Sequence, residues 1–320
     1  MRLRVVYMGT PDFAVPPLQA LIDGPDEVVA VVTNPDRPAG RGKHLQPPPV
    51  KVAAEAAGIP VLQPTSARTD GFAAQLAALR PDIAVVVAYG KILPQRILDI
   101  PRLGCLNVHA SVLPELRGAA PINWAIVRGH TETGVAIMQM DAGMDTGPVY
   151  AVASTPIGGA ETTGELHDRL MHLGPPLLME VLASIVDGTA VAIPQDHDRT
   201  TRAPMIQKAD GDIDWTASAS DVMHLIHGFN PWPGAYSTIV ESPDPTQIGL
   251  RIKFHRALAA EGPTAPPGTV LDGGQGLEIA AGDGLVRIVE CQAPGRKSMS
   301  TRDFLLGCSL AAGTRFAPST

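Results

Sequence analysis

Residues 82–88 read Asp82-Ile83-Ala84-Val85-Val86-Val87-Ala88, between Pro81 and Tyr89-Gly90. A valine-rich run with no polar alternation has no face to give to water. It predicts a strand covered on both sides, as in a parallel sheet flanked by crossover helices. Working outward, Leu3–Met8 and Val28–Thr33 repeat the pattern. Helical stretches separate them at Ala14–Ile22, Val50–Ala57 and Phe72–Leu79, with a short strand at Pro60–Leu62 and another at Leu106–His109. Strands alternating with helices predict an α/β fold with a mostly parallel sheet. Pro121–Arg128 is a further helix. Val135–Gln139 and Val149–Ala153 read as strands paired across the Asp141–Gly147 turn. Thr163–Val186 is helical, with a dent or break at Gly174-Pro175-Pro176. Residues 34–49 follow no helical or strand period and are rich in breakers.

The pattern changes after residue 190. Val191 to about Lys208 is polar without an apolar period and reads as a linker. Beyond it, Ser218–His227 is helical. The short runs Ala235–Val240, Gly249–Ala257, Gly268–Leu271, Leu277–Ala280 and Leu285–Cys291, separated by Gly, Pro and Asp, predict a small β-barrel or sandwich. The tail past Gly313 reads as loosely held. The 320 residues suffice for two ordinary domains, and 45% hydrophobic residues exclude disorder as the overall description. A net charge of −7 provides no global basic field, so any nucleic-acid footprint must be local. Three scattered cysteines, Cys105, Cys291 and Cys308, argue for a reducing compartment and against a disulfide framework or a cysteine-based zinc site. His224 and His227 share a helix face but lack a third ligand, so no metal site is read. The apolar run after Met1 is short and leads straight into Gly9-Thr10-Pro11-Asp12. No segment is read as long enough to span a membrane. The reading is a soluble cytoplasmic protein with no membrane partner.

The chemistry concentrates in residues 104–124. Asn107 and His109 alternate on a strand and so point to one face. The chain then breaks at Pro114 and Gly118. An amide and an imidazole therefore emerge where a strand gives way to a loop, the usual place for a ligand site in open α/β sheets. The amide can donate to a developing oxyanion, and the imidazole can carry a proton near neutral pH. The turn Asp141-Ala142-Gly143-Met144-Asp145-Thr146-Gly147 offers two carboxylates, either of which can orient the imidazole. Residue chemistry alone does not choose between Asp141 and Asp145, and each is also an ordinary turn former. Gly9 stands without the second and third glycines of a dinucleotide fingerprint. The loop Asp36–His44 carries Arg37, Arg41 and Lys43, which can follow a phosphate backbone or simply be solvated. Arg296-Lys297-Ser298-Met299-Ser300-Thr301-Arg302 is a second local basic stretch, in which Ser298 or Ser300 can equally cap a helix.

In order along nearly the whole chain, Met8–Ala14, Pro35–Lys43, Val86–Pro94, Asn107–Pro114, Arg117–Ile122, Gly134–Thr146, Phe229–Pro233 and Gly295–Ser300 resemble the methionyl-tRNA formyltransferase family. The resemblance implies a Rossmann-like formyltransferase domain over residues 1–190, a linker over 191–208 and an OB-like tRNA-binding barrel over 209–320. It implies transfer of a formyl group from 10-formyltetrahydrofolate to the α-amino group of initiator Met-tRNA. The chain is expected to act as a monomer without a metal. The family's catalytic trio falls on Asn107, His109 and Asp145. Its folate-binding Ser-Leu-Leu-Pro stretch falls on Ser111, Val112, Leu113 and Pro114, with Val112 departing from the family's Leu. Arg41 falls at the position tied to tRNA recognition, and Lys208 on the family's linker lysine. Arg37, Lys43, Arg296 and Lys297 are the other expected tRNA contacts. With Arg117, these cations are expected to line one face.

Three other readings compete. Another folate-dependent formyltransferase or formyl hydrolase would share the trio but act on glycinamide ribonucleotide or an amino sugar. A nicotinamide dehydrogenase is weakened by the missing glycines. A non-enzymatic RNA-binding module leaves Asn107, His109 and Asp145 without a purpose.

Overall fold

The computed structural model describes residues 2–39, 44–271 and 276–318. The chain packs as two compact units. Met1–Pro121, Thr133–Thr155 and His167–Ala203 form the first; Ile122–Glu132, Pro156–Leu166 and Pro204–Thr320 form the second.

The first unit is built on β1 (Arg4–Gly9), α1 (Val15–Asp23), β2 (Glu27–Val32), β3 (Arg37–Ala39), β4 (His44–Gln46), α2 (Pro49–Ala56), β5 (Val61–Leu62), α3 (Asp70–Ala78), β6 (Ile83–Val87), α4 (Gln95–Leu98), β7 (Cys105–His109) and β8 (Arg117–Gly118). After α5 (Pro121–Val127) come β9 (Glu132–Gln139), β10 (Val149–Pro156), α6 (Thr163–Asp187) and β11 (Arg202–Ala203). A seven-stranded sheet runs β10-β9-β7-β6-β1-β2-β5. The pairs β1–β2, β1–β6, β2–β5 and β6–β7 are parallel, and β7–β9 is antiparallel. Every residue of β6 is buried, as its unbroken apolar run requires. The chain leaves β1 towards β2 and β5, then returns to β6 on the other side of β1. That reversal opens a crevice at the strands' carboxyl ends, where Gly9, Val87 and His109 finish.

Four features depart from the sequence reading. Residues 37–46, read as having no strand period, include β3 and β4, whose ends pair antiparallel through Arg37–Gln46 and Pro38–Leu45. Both strands are only three residues long, too short to show a period. The helix α6 runs 25 residues without a break at Gly174-Pro175-Pro176. Gly174 lies close enough to Val108 and Val135 that an added Cβ would touch both, so packing on the sheet holds the helix there. The N–H groups missing at the two prolines fall opposite half-exposed Met171 and exposed His172, where the carbonyls can be solvated. By length and composition α6 is also apolar enough to cross a membrane, with a mean hydropathy of 1.3 over 18 residues, contrary to the reading that no segment reaches that length. In this fold its Leu170, Leu178, Val181 and Leu182 are buried. Finally, residues 315–317, read as a loose tail, form a paired strand.

The segment after α6 is tied down. Ile193 bridges Val149, and β11 pairs parallel with β8. Gly118 has φ +127°, and a Cβ there would lie 2.5 Å from the Ala203 carbonyl oxygen. Only glycine allows this approach.

The second unit contains α7 (Ala219–Gly228), β12 (Ala235–Glu241), β13 (Arg251–Ala260), β14 (Leu277–Ala280), β15 (Leu285–Gln292), β16 (Met299–Ser300), α8 (Thr301–Gly307) and β17 (Arg315–Ala317). The sheet runs β14-β15-β13-β12-β17, with β16 on β15. Residues 268–271 close it. Gly268 and Leu271 donate to Ala280 and Glu278 beside β14, while Val270 donates to Thr314 and Phe316 of β17 donates to Gly268. Trp215, Phe254 and Phe316 fill the interior with ring centroids 5.6–6.2 Å apart. Ser300 caps α8 by accepting from Asp303 N, the cap reading of that basic stretch. Two excursions of the earlier chain pack on α7. Asn123 Nδ2 and Thr163 Oγ1 both donate to the Gly228 carbonyl, at 2.8 and 2.7 Å.

Two outcomes follow from this packing. Gly118→Ala should lose about 2–3 kcal/mol of stability in urea unfolding, because both the backbone angle and the Ala203 contact resist a methyl group. His227 on α7 accepts from Ala257 N, and burial, with Arg256 and His224 adding to it, pushes its pKa down to about 4. The folded state therefore keeps it neutral, while the unfolded chain protonates it below about 6.5. Stability should fall as pH drops from about 6.5 to about 4, by about 2–3 kcal/mol from this group. Urea titrations at pH 7 and 4.5 should show a smaller loss for His227→Gln than for the parent chain.

Candidate active site

The carboxyl end of β7 delivers Asn107 and His109, as its alternation requires, and β9 pairs beside them through Asn107–Met138 and His109–Ala136. The turn after β9 returns a carboxylate to the same place. Asp145 Oδ1 accepts from Asn107 Nδ2 at 3.3 Å, and its Oδ2 accepts from Gly118 N at 2.8 Å. His109 Nδ1 lies 3.8 Å from Asp145 Oδ2. The other ring nitrogen, Nε2, is 3.1 Å from the Leu116 carbonyl. A carbonyl only accepts, so Nε2 carries a proton and Nδ1 is the nitrogen that gains or loses one.

Asp141 does different work. Its Oδ1 accepts from Gly143 N and Thr146 Oγ1 at 3.0 and 2.6 Å, which shapes the turn. Of the two acids that residue chemistry left open, Asp145 is the one beside the amide and the imidazole. It holds φ +55°, a left-handed backbone that costs a non-glycine residue about 1 kcal/mol or more. Its surroundings over-determine it. Gln195 Nε2 donates to the carbonyls of Asp145 and Gly147 at 2.9 and 2.6 Å. The Gln195 Oε1 accepts from Arg117 Nε and Nη2 at 3.0 and 2.7 Å, and Arg117 Nη2 also meets His197 Nδ1 at 3.1 Å.

Arg117 is therefore not a surface cation. It is 6% exposed, against the expectation that it joins an outward basic face. Burial lowers the Arg117 pKa, opposed by Asp145 and Asp141. Sequence reasoning missed Gln195 and Thr201 altogether. Thr201 Oγ1 accepts from Leu116 N at 2.9 Å, and the segment around both residues shows no period to mark it.

The stretch 111–114 lies just past β7. Ser111 Oγ donates to the Glu115 carbonyl at 2.6 Å, and Leu113 packs with Ala136 and Met138. Both side chains point inward, while Val112 and Pro114 are half-exposed. Across the crevice, Asn34 Nδ2 donates to the Tyr89 carbonyl and Thr10 Oγ1 at 2.8 and 3.0 Å, and its buried Oδ1 has no partner among the described residues. Among the other expected contacts, Arg37, Lys208, Arg296 and Lys297 are exposed. Arg41 and Lys43 lie outside the described residues. Among the described residues, no group of three or more His, Cys, Asp or Glu is placed to hold a metal ion.

Comparison with known proteins gives this geometry a context. The formyl transferase family model matches residues 1–182, and the formyl transferase C-terminal domain model matches residues 205–309. A methionyl-tRNA formyltransferase of Geobacter metallireducens is 48% identical over 313 residues, covering 98% of both chains. Two solved structures share the fold at 16% identity. HypX from Aquifex aeolicus, in complex with tetrahydrofolic acid, gives a TM-score of 0.62 over 98% of this chain and 49% of its own. The N-formyltransferase of Helicobacter canadensis, in complex with folinic acid and dTDP-3-aminofucose, gives 0.66 over 91% and 99%. The expected fold class stands: a formyltransferase domain with a mostly parallel sheet, followed by a domain of antiparallel strands. By near-complete coverage at that identity, the chain belongs to the methionyl-tRNA formyltransferase family.

Proposed function

We propose that this chain transfers the formyl group of 10-formyltetrahydrofolate to the α-amino group of initiator Met-tRNA, with Asn107, His109 and Asp145 as its catalytic residues. The observation that carries the proposal is the meeting of Asn107 Nδ2, Gly118 N and His109 Nδ1 around one carboxylate. Residues 1–190 serve as the catalytic domain and 209–320 as the tRNA-binding domain; 191–208 serve as the segment joining them, of which the part up to Ala203 packs with the first unit. The enzyme works in the cytoplasm as a monomer without a metal.

The folate would be held along Ser111-Val112-Leu113-Pro114, where it supplies an electrophilic formyl carbon. The fit is of a particular kind. Ser111 and Leu113 are turned inward, so this stretch offers a ligand its backbone and the half-exposed Val112 and Pro114. A planar heterocycle suits such a lining, and Val112 in place of Leu costs little when backbone groups make the contacts.

The roles of the three residues follow from their hydrogen bonds. Asp145 takes one N–H of the Asn107 amide, which aims the NH2 end into the site. The second N–H is available to the oxygen on which charge develops as the amine attacks. The proton released by the amine would pass to His109 Nδ1, since Nε2 is committed to the Leu116 carbonyl, and from there to the folate nitrogen that leaves as its bond to the formyl carbon breaks. Asp145 then faces the imidazolium and stabilises it. On the RNA side, Arg37, Arg41, Lys43, Lys208, Arg296 and Lys297 supply phosphate contacts in a chain whose total charge is negative.

Incubation with labelled 10-formyltetrahydrofolate and charged initiator tRNA should move label to the RNA, with glycinamide ribonucleotide as the parallel acceptor staying unlabelled. Label on the nucleotide instead would replace this reading with its nearest rival. Asn107→Ala and His109→Ala should each lower turnover by about 100-fold or more while tRNA affinity changes little; near-normal turnover in folded variants would remove them from the catalytic set. Arg41→Ala should chiefly weaken use of initiator tRNA, most strongly at low salt, and its defect relative to the parent should shrink as salt rises, because one phosphate contact fewer lowers the salt slope. An equal fold-defect relative to the parent at low and moderate salt would contradict a phosphate contact.

A further inference from the structure

The segment 195–203 touches both partners of His109, and the trio's own chemistry gives it no task. At one end Gln195 holds the carbonyls of Asp145 and Gly147, fixing the turn that carries the carboxylate. At the other, Thr201 Oγ1 holds Leu116 N, the Thr201 carbonyl accepts from Arg117 N, and the Ala203 carbonyl accepts from Ala119 N. Those bonds fix the loop whose Leu116 carbonyl accepts from His109 Nε2 and whose Gly118 N–H donates to Asp145 Oδ2. One strap thus sets the positions of the groups on both ring nitrogens.

We propose that Gln195 is a positioning residue for formyl transfer, holding Asp145 against Asn107 and His109 through the left-handed turn at residue 145. The chemistry explains why an amide stands there. Its NH2 satisfies two carbonyls at once, and its oxygen satisfies a buried guanidinium. No other uncharged side chain of that reach has a two-donor end and an acceptor end. Without it, two carbonyls and Arg117 lose partners in a buried site, and Asp145 loses what offsets its backbone strain. The charged and titratable groups around the arrangement are Asp145, Arg117 and His197, with Asp141 and Arg202 acting on Arg117. The inference rests on the proposed role of Asp145 and assigns the group that makes that role possible.

The test is a double-mutant cycle in the full-length enzyme, with kcat and KM measured for both substrates. Gln195→Met keeps the length and packing but removes every polar contact. Gln195→Glu keeps the acceptor for Arg117 and removes the donors to the two carbonyls. Asp145→Asn removes the carboxylate itself. Each Gln195 variant should lower kcat by about 10- to 100-fold, the cost of a misplaced catalytic group, with KM changed less than threefold. In the Asp145→Asn background, Gln195→Met should cost almost nothing more, because the group it positions is already gone. Equal fold-losses of Gln195→Met in both backgrounds would overturn the proposal and leave Gln195 a purely structural residue, as would unchanged kcat in a folded variant. If Gln195→Met does not fold, Gln195→Glu decides by the same comparison. Normal turnover in Asp145→Asn would instead sink the role of Asp145 itself, a separately visible failure.

Discussion

The candidate site in the first unit depends on one carboxylate held in one place. Asp145 sits in a turn with a strained backbone, accepts from an amide on β7 and from the Gly118 N–H at the end of β8, and faces an imidazole across 3.8 Å. None of these contacts is local in sequence. β7 supplies two of the groups, the turn after β9 supplies the acid, and a loop stitched to β11 supplies the N–H. The left-handed backbone at Asp145 persists because the Gln195 amide grips the carbonyls on either side of the turn. Backbone strain at a functional residue is tolerable when neighbours over-determine it, and here they do.

Closure plays the corresponding part in the second unit. A sheet with the order β14-β15-β13-β12-β17 would leave two edges open. Residues 268–271 hydrogen-bond to both, so the edges meet through a stretch too irregular to be a strand of its own. The aromatic trio of Trp215, Phe254 and Phe316 then fills the enclosed space, and Trp215 Nε1 donates to Ser237 Oγ, so the buried indole leaves no donor unpaired. Lys208, Arg296 and Lys297 are exposed outside this core.

Legibility followed the physics of each element. The buried parallel strands could be read to within a residue or two from unbroken apolar runs such as 83–87, whereas β9 begins three residues before and β10 ends three residues after the expected bounds. The cap at Ser300 and the pairing of Asn107 with His109 on one strand face were also visible. What escaped had no local signature. The β3–β4 pair is too short for a period. Whether Pro175 and Pro176 break α6 depends on which carbonyls face solvent. Arg117 looks like any surface arginine until Gln195 and His197 close over it. Residues 191–203, read as linker, carry polar side chains whose partners are more than forty positions away, so no window on the sequence could identify them.

By itself the sequence determined the layered α/β unit, the small all-β unit after it and an amide–imidazole pair at a strand end, because hydrophobic period and alternation are local properties of a chain. The resemblance to formyltransferases added Asp145 to that pair. Only the tertiary structure decided that Asp145 and not Asp141 lies beside the amide and the imidazole, which nitrogen of His109 is open, and that a polar strap holds the groups on both sides of the ring. Those outcomes depend on hydrogen bonds between distant segments, and such bonds exist only once the sheet has brought the segments together.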